Sequence, residues 1–335
     1  MSAEIAAAAI RDFQDTFGAV RREIARVVVG HDEALDTILT GLFAGGHVLI
    51  EGVPGTGKTL IVRSLAEALA LRFSRIQFTV DLMPADITGT RVVSETPEGR
   101  REFVFVPGPI FTHVLLADEI NRATPKTQSA LLEAMAEQQV TVAGTTHVLG
   151  APFFVLATLN PIEMEGTYQL PEAQLDRFLF KVRLDYPSQA ELERILGSTT
   201  GAETAPIRAV LDPETAPARV EAQKQLVRSV LVAPHVERYV AGLVRLTLPA
   251  ADSDPEVRRW VAYGASPRGG QALLLGAKVH ALLDGRPHVA VEDVHRVARA
   301  ALRHRLVLSF AAETEGVEPG VVVEHVLAAA ARLRR

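Results

Sequence analysis

The segment GVPGTGKT at 52–59 places three glycines, a lysine and a threonine in the pattern G-x-x-x-x-G-K-[ST]. Glycines permit a tight turn whose backbone N–H groups point inward, and inward N–H groups bind phosphate oxygens. In that arrangement Lys58 reaches the β and γ phosphates of a nucleotide, and the Thr59 hydroxyl can bind Mg²⁺. The predicted nucleotide site consists of Gly52, Val53, Pro54, Gly55, Thr56, Gly57, Lys58, Thr59 and Leu60.

The elements around this segment decide between a phosphate site and a chance match of a glycine-rich turn. HVLIEG (47–52) is a short apolar run typical of a buried strand, and GKTLIVRSLAEALAL (57–71) has helical spacing. A turn that leads from a strand into a helix adds the positive end of the helix dipole to the same spot. This context favours the phosphate site.

A second chemical feature is the pair of adjacent acids at the end of HVLLADE (113–119). Side chains alternate along a strand, but the chain turns where a strand ends, so both carboxylates can face one crevice. Beside a phosphate site, Asp118 is predicted to hold Mg²⁺, and Glu119 to orient or deprotonate a water for attack on the γ-phosphate. The alternative for the pair taken alone is that it caps a following helix.

The elements that must position these residues alternate between 45 and 185, which predicts an α/β fold with a parallel sheet. The apolar runs are HVLIEG (47–52), RIQFTV (75–80), HVLLADE (113–119), FFVLATLN (153–160) and LFKVRL (179–184). Two segments interrupt the alternation with β-like arms around turn residues, at 88–109 and 139–150. They are predicted to be inserted β-hairpins.

The predicted domain organisation is an α/β core over 1–190, a linker or loose junction over 191–220, and a helical domain over 221–335. The junction contains a stretch rich in small and polar residues with three prolines. Beyond it the helical period dominates and no pair of strands is evident. The second domain is therefore predicted to be all-α.

The order of the motifs resembles that of AAA+ ATPases: a phosphate loop, then LLADE, then an apolar strand that ends in Asn160. Four blocks make the chain similar to the MoxR family: DLMPADITGT (81–90), ADEINRATPKTQSALLEAMAEQQVTV (117–142), ATLNPIEMEGTYQLPEAQLDRF (157–178) and GASPRG (264–269). The likeness runs from about Val28 to about Leu308. Two departures, Leu159 before the asparagine and the second glycine after SPR, remove no catalytic group.

The resemblance implies roles for residues whose own patterns are ambiguous. Asn160 would be the sensor that helps to place the lytic water, although Asn-Pro by itself is a turn signal. Arg177 would be an arginine finger for the next subunit's γ-phosphate, oriented by Asp176, and a simple salt bridge between the two is the alternative. Arg268, at a helix start after Pro267, would be a second sensor that reaches the γ-phosphate from the lid.

The resemblance also implies ligands and partners. Val29 and Gly30, with His31, would lie against the adenine of ATP or ADP, and Mg²⁺ would be the metal cofactor. MoxR-type proteins form rings, usually hexamers, with ATP at subunit interfaces. They resemble chaperones that remodel or activate proteins, often partners with a von Willebrand factor A domain. The two hairpins would protrude towards the pore or client face of such a ring, or would merely extend the surface.

Composition argues against several other classes of protein. The 335 residues carry a formal net charge of −5, which gives no global electrostatic case for nucleic-acid binding. No apolar run approaches the roughly 20 residues of a membrane-spanning helix, and the alanine-rich N-terminus is typical of a helix rather than a signal peptide. The chain has no cysteine. We expect a cytoplasmic protein without direct nucleic-acid partners.

Two alternatives to a MoxR-type ATPase stay open at this point. The ATPase subunit of a magnesium-chelatase-like complex shares the inserted hairpins. A P-loop small-molecule kinase would need neither Glu119 and Asn160 nor a helical lid with Arg268, and it would be active as a monomer.

Overall fold

The computed structural model describes residues 3–95, 97, 99–161, 167–200, 206–251 and 253–331. Three predicted features fall partly outside these ranges: the turn of the first hairpin at 96 and 98, the centre of the MoxR-like block at 162–166, and part of the junction at 201–205.

The structure contains a mixed set of short strands and longer helices. The strands are β1 (Val48–Gly52), β2 (Phe73–Gln77), β3 (Gly89–Glu95), β4 (Arg101–Pro107), β5 (Val114–Asp118), β6 (Gln139–Val142), β7 (Thr145–Val148), β8 (Phe154–Leu159), β9 (Phe180–Leu184), β10 (Val261–Tyr263) and β11 (Val307–Leu308). The helices are α1 (Ala3–Ala25), α2 (Asp32–Ala44), α3 (Lys58–Ala68), α4 (Pro84–Thr88), α5 (Pro125–Glu137), α6 (Glu172–Leu175), α7 (Gln189–Thr199), α8 (Ala216–Ser229), α9 (Pro234–Leu246), α10 (Pro255–Trp260), α11 (Pro267–Leu283), α12 (Val291–Leu302), α13 (Phe310–Thr314) and α14 (Pro319–Ala330).

A five-stranded parallel sheet in the order β2-β5-β8-β1-β9 forms the centre of the core, which confirms the α/β prediction. The central strands of the sheet are buried on both faces, as β5 shows. Val114 and Leu116 pack with one apolar cluster, whereas Leu115 and Ala117 pack with a second cluster on the opposite face. The second strand starts and ends earlier than the predicted 75–80, because its pairing with β5 ends where Gln77 meets Asp118.

Both predicted hairpins are present as separate two-stranded antiparallel sheets, β3-β4 and β6-β7. They contact each other, since Arg91 donates a hydrogen bond to the Thr145 hydroxyl at 2.9 Å. The rings of Phe105 and His147 stack with centroids 3.9 Å apart. The two insertions therefore contact each other directly.

The second domain is helical, with one difference from the all-α prediction. Strands β10 and β11 form a short antiparallel pair in which Val261 lies opposite Leu308 and Tyr263 opposite Val307. Strands of three and two residues are too short to show a period of two in the sequence. Their pairing also joins segments that are distant in the chain, so the local pattern could not predict it.

The range predicted to be a junction, 191–220, contains parts of two helices. Helix α7 (Gln189–Thr199) starts with a capping box, in which Ser188 and Glu191 satisfy each other's backbone N–H groups. Helix α8 begins at Ala216 and buries Val220 and Val227 in the main core. A composition of small and polar residues did not prevent either helix, because capping and burial decided the outcome.

The helical domain docks on the core through α11 and α12, which pack beside β9 and α2. Gly276 of α11 makes this approach possible: a Cβ added there would lie 2.7 Å from the ring of Phe180 and 2.9 Å from Val297. The first turn of α11 lies near the amino ends of β1 and β9, where Arg268 shares a cavity with His47 and Leu179. Among the described residues, no helix combines the length and apolarity that crossing a membrane requires.

Candidate nucleotide site

The phosphate loop leaves β1 at Gly52 and enters α3 at Lys58. Gly55 and Gly57 have φ values of +84° and +82°, a region that other residues rarely adopt. A Cβ on either would meet no atom within 4 Å, so backbone conformation rather than space requires glycine at these two positions. Gly57 caps α3 without a side chain, which leaves N–H groups of the first helical turn available to an anion.

Lys58 is buried and folds back over this loop. Its ammonium group donates hydrogen bonds to the carbonyls of Gly52 at 2.6 Å and Val53 at 2.8 Å. Burial lowers the pKa of Lys58, while Asp118 and Glu119 act in the opposite direction. The side chain thus lies at the mouth of the loop, with the two acids as its electrostatic counterparts.

The two acids occupy the carboxyl end of β5, and a left-handed residue lets both face this edge. Glu119 has φ +56° and ψ +50°, which is uncommon for a residue with a side chain. Its backbone N–H donates to the Thr158 hydroxyl at 2.8 Å, and that hydroxyl donates to Asp118 Oδ1 at 2.6 Å. Arg75 holds the other oxygen, Asp118 Oδ2, at 2.6 Å.

The Glu119 carboxylate is oriented from two sides. Gln77 donates a hydrogen bond to Oε2 at 2.7 Å, and Arg122 donates to the same oxygen at 3.0 Å. Gln77, Arg75 and Thr158 belong to no sequence motif, because they reach the acids across neighbouring strands. Only the strand order and the register, in which Gln77 lies opposite Asp118, could have found them.

Asn160 follows β8, which lies between β5 and β1, so it shares the edge that carries the acids and the phosphate loop. It is buried and lines a cavity of about 320 Å³ with Glu51 and Asn121. The structure therefore brings Lys58, Glu119 and Asn160 to the carboxyl ends of three adjacent strands, the usual ligand position in an open α/β sheet. Their catalytic roles remain predictions.

The donor groups at this edge fit a magnesium nucleotide. Thr59 lies in the first turn of α3, beside the uncapped N–H groups, and supplies a hydroxyl. Asp118 supplies carboxylate oxygens at the end of β5. Oxygen donors of this kind are those that Mg²⁺ prefers, and the N–H groups of the loop suit phosphate oxygens.

The segment predicted to contact adenine lies between the phosphate loop and α7. His31 Nε2 is 3.1 Å from the carbonyl oxygen of Thr56. Gly30 has φ +83°, and a Cβ on it would lie 2.7 Å from the Glu191 carboxyl group. Val29 adjoins this point, so the segment is placed beside the loop, although contact with a base remains a prediction.

Arg177 and Arg268 lie elsewhere. They line one cavity of about 270 Å³ together with His47 and Leu179, at the amino ends of β1 and β9. The four residue steps along β1 from Val48 to Gly52 span about 13 Å, so the amino end of this strand lies that far from the start of the phosphate loop. The structure therefore does not bring Arg268 to the phosphate loop of its own chain, because α11 begins at the amino ends of the strands.

The side chains of Asp176 and Arg177, predicted to pair directly, have different hydrogen-bond partners in the structure. Arg177 donates to the carbonyl of Leu132 at 2.8 Å. Asp176 instead accepts a hydrogen bond from Arg305 Nε at 2.8 Å, and the Ser266 hydroxyl lies 3.0 and 2.9 Å from its two oxygens. The physical reason is burial: the Arg305 side chain is only 2% exposed, and a buried guanidinium requires an anionic partner.

Comparison with known proteins agrees with this fold and site. A family model described as "ATPase family associated with various cellular activities (AAA)" matches residues 47–180, and a model for the AAA lid domain matches 256–326. Each lies within one of the two parts of the structure, the first with the phosphate loop and acids, the second with Arg268. The fold and site thus define an AAA-type ATPase.

Individual relatives indicate which family of AAA-type ATPases the chain belongs to. The chain is 44% identical to "Chaperone MoxR1" of Mycobacterium tuberculosis, over 91% of this chain and 79% of the relative. It is 34% identical to "Protein MoxR" of Methylorubrum extorquens, over 90% of each. A crystal structure of a "putative ATPase" from Cytophaga hutchinsonii superposes with a TM-score of 0.88 at 37% identity, covering 97% of both chains. The chain belongs to the MoxR family of AAA+ ATPases.

Proposed function

We propose that this protein is a Mg²⁺-dependent ATPase that works as an oligomeric ring, in which each ATP lies between two subunits, and that it uses hydrolysis to remodel or activate a protein partner. The observation that carries the proposal is the division of the candidate residues between two ends of one sheet. Lys58, Glu119 and Asn160 lie at the carboxyl edge, whereas Arg177 and Arg268 lie at the amino edge.

This division favours a shared active site. Arg177 is exposed and the Arg268 side chain is 53% exposed, so both can meet another molecule. A guanidinium that completes a phosphoryl-transfer site in trans supplies roughly 10³- to 10⁵-fold in rate. Since neither arginine lies near its own phosphate loop, a neighbouring subunit is the natural recipient. The ring and its size, usually a hexamer, come from the family resemblance.

Within one subunit, the proposed chemistry follows the positions of the side chains. N–H groups of the loop and Lys58 would bind the phosphates, while Thr59 and Asp118 would hold Mg²⁺, which neutralises charge on the β and γ phosphates when bound. Glu119, fixed by Gln77 and Arg122, would accept the proton of the attacking water.

The partner is proposed to be a protein. A relative with 44% identity carries the name chaperone, and the resemblance noted above extends to partners with a von Willebrand factor A domain. The joined hairpins offer a surface suited to such contacts, because Phe103 is 73% exposed and Val148 is 75% exposed. The family assignment also favours this reading over the small-molecule kinase.

The single-subunit part of the proposal is tested by separating binding from hydrolysis. Lys58→Ala should lose affinity for ATP, because the phosphates lose their cation. Glu119→Gln should bind ATP normally yet hydrolyse it at least about 100-fold more slowly, since it lacks the general base. Fluorescent-nucleotide titration and phosphate release, each with and without EDTA, measure both properties.

Two exposed residues provide matched controls, Lys126→Ala and Glu133→Gln on α5, and both should behave like the unmodified protein. Normal hydrolysis by Glu119→Gln would remove Glu119 from the mechanism. Normal hydrolysis in excess EDTA would contradict the magnesium requirement.

A further inference from the structure

An ionic cluster built on a buried arginine joins the segment that carries Arg177 to the lid. We define the Asp176 clamp as Asp176 of the core with Ser266, Arg268 and Arg305 of the lid. Arg305 Nε donates to Asp176 Oδ1 at 2.8 Å, and the Arg268 guanidinium lies 3.6 Å from Asp176 Oδ2. The Asp176 side chain is 16% exposed, so its charge is largely withdrawn from water and held by these partners.

Arg305 also binds the backbone around Arg177. Its guanidinium donates to the carbonyls of Asp176 at 3.1 Å, Phe178 at 2.7 Å and Leu179 at 3.1 Å. One lid side chain therefore fixes the backbone immediately before and after Arg177, in the turn that leads into β9. A buried, multiply bonded arginine is a rigid anchor, because each bond it loses leaves a polar group unsatisfied.

We propose that Arg305 is a positioning residue for hydrolysis: through the Asp176 clamp it sets the placement of Arg177, and so acts on the nucleotide of the neighbouring subunit rather than on its own. The inference rests on the proposed shared active site. It assigns to the lid a second role besides presenting Arg268, since the same carboxylate holds both the anchor and Arg268. Displacement of the lid would then move both arginines together.

The test uses mixtures of full-length variants. Arg305→Gln subunits should show a kcat lowered about 10- to 100-fold, because displacing a catalytic group by about 1 Å can slow a reaction by about that factor. Their KM for ATP should stay within about threefold, because their own phosphate loop is intact.

Mixed with Lys58→Ala subunits, in which Arg177 is intact, the Arg305→Gln subunits should regain activity. Mixed with Arg177→Ala subunits, which lack that side chain, they should not.

The opposite pattern, rescue by Arg177→Ala but not by Lys58→Ala, would place the defect in the subunit's own site and overturn the inference. So would rescue by both partners or by neither in rings whose assembly is verified by size. Asp176→Asn, nearly identical in shape, must reproduce the pattern and covers the case in which Arg305→Gln does not fold. Arg299→Gln, an exposed change on α12, is expected to leave kcat unchanged.

One reference mixture separates this inference from the proposed function. Arg177→Ala with Lys58→Ala reports only whether a finger acts in trans. If that mixture fails to regain activity, the shared site itself is wrong. If it regains activity and the Arg305 pattern does not follow, only the role of the Asp176 clamp is wrong.

Discussion

His47 shows how the core uses a titratable residue as a neutral one. It lies buried at the amino end of β1, where its Nδ1 accepts a hydrogen bond from the N–H of Val155 at 3.0 Å. Its Nε2 lies 3.3 Å from the carbonyl of Met135, which suits a donor at that nitrogen. Both bonds are satisfied by the neutral ring, and burial lowers the pKa of His47 to about 4.

Stability should therefore fall in mild acid. Between an unfolded pKa near 6.5 and a folded pKa of about 4, the unfolded chain binds a proton at His47 that the folded chain does not bind. The free energy of unfolding then decreases as the pH falls, by roughly 2 kcal/mol for this residue between pH 7 and pH 5. Denaturant unfolding at the two pH values measures the loss.

His47→Gln can keep both hydrogen bonds without titrating. Its loss of unfolding free energy between pH 7 and pH 5 should therefore be smaller than that of the unmodified protein by roughly 2 kcal/mol. His288→Gln, at an exposed position, should leave the loss unchanged. An equal loss in the unmodified protein and in His47→Gln would show that the His47 ring does not remain neutral in the fold.

For individual residues, the sequence predicted the side chains that belong to local motifs but did not predict their hydrogen-bond and ion-pair partners. Lys58, Thr59, Asp118 and Glu119 stand in short patterns whose strand and helix context is also local. Asp176 had an adjacent arginine that looked like its partner, yet it binds Arg305, 129 positions away. A buried cation selects its anion by three-dimensional proximity, which no spacing rule contains.

Helix α11 couples the lid to the core, and its glycines have unequal roles. A Cβ on Gly276 would lie 2.7 Å from Phe180, too close without movement of a ring packed in the core. A Cβ on Gly270 would lie 3.5 Å from Val244, an ordinary contact. The two positions thus form a matched pair on one helix.

Gly276→Ala should lower the free energy of unfolding by about 1–3 kcal/mol, the usual cost of overpacking. Gly270→Ala should be neutral or stabilising by up to about 1 kcal/mol, because alanine favours a helix more than glycine does. Thermal and denaturant unfolding of both variants provide the comparison. A Gly276→Ala variant as stable as Gly270→Ala would mean that the lid does not pack on the core at this distance.

Elements with a strong local period were predictable, and those defined by pairing were not. The five core strands and both hairpins occupy the expected regions, because apolar runs and turn residues mark them. Strands β10 and β11 lack such marks in the sequence, because each is defined only by its pairing with the other. Helix α7 extends to Thr199, into the stretch whose composition is typical of linkers, and its capping box lies before that stretch.

For the whole molecule, the decisive fact is where the lid docks. The sequence placed Arg268 in a lid that reaches a γ-phosphate, but the docking of α11 beside β9 puts its first turn at the edge away from its own phosphate loop. That geometry depends on packing between α11, β9 and α2, which no motif encodes. It also places Arg268 and Arg177 beside one another on a single surface.

The shared site leads to the most direct test of the account. Arg177→Ala and Lys58→Ala, each inactive alone, should regain activity when assembled together, because each supplies what the other lacks. Random head-to-tail assembly at equal amounts gives a complete site at roughly a quarter of the positions. ATP hydrolysis should thus rise to roughly that fraction of the unmodified rate. Mixed rings, verified by size, that remain as inactive as either variant alone would contradict the central claim.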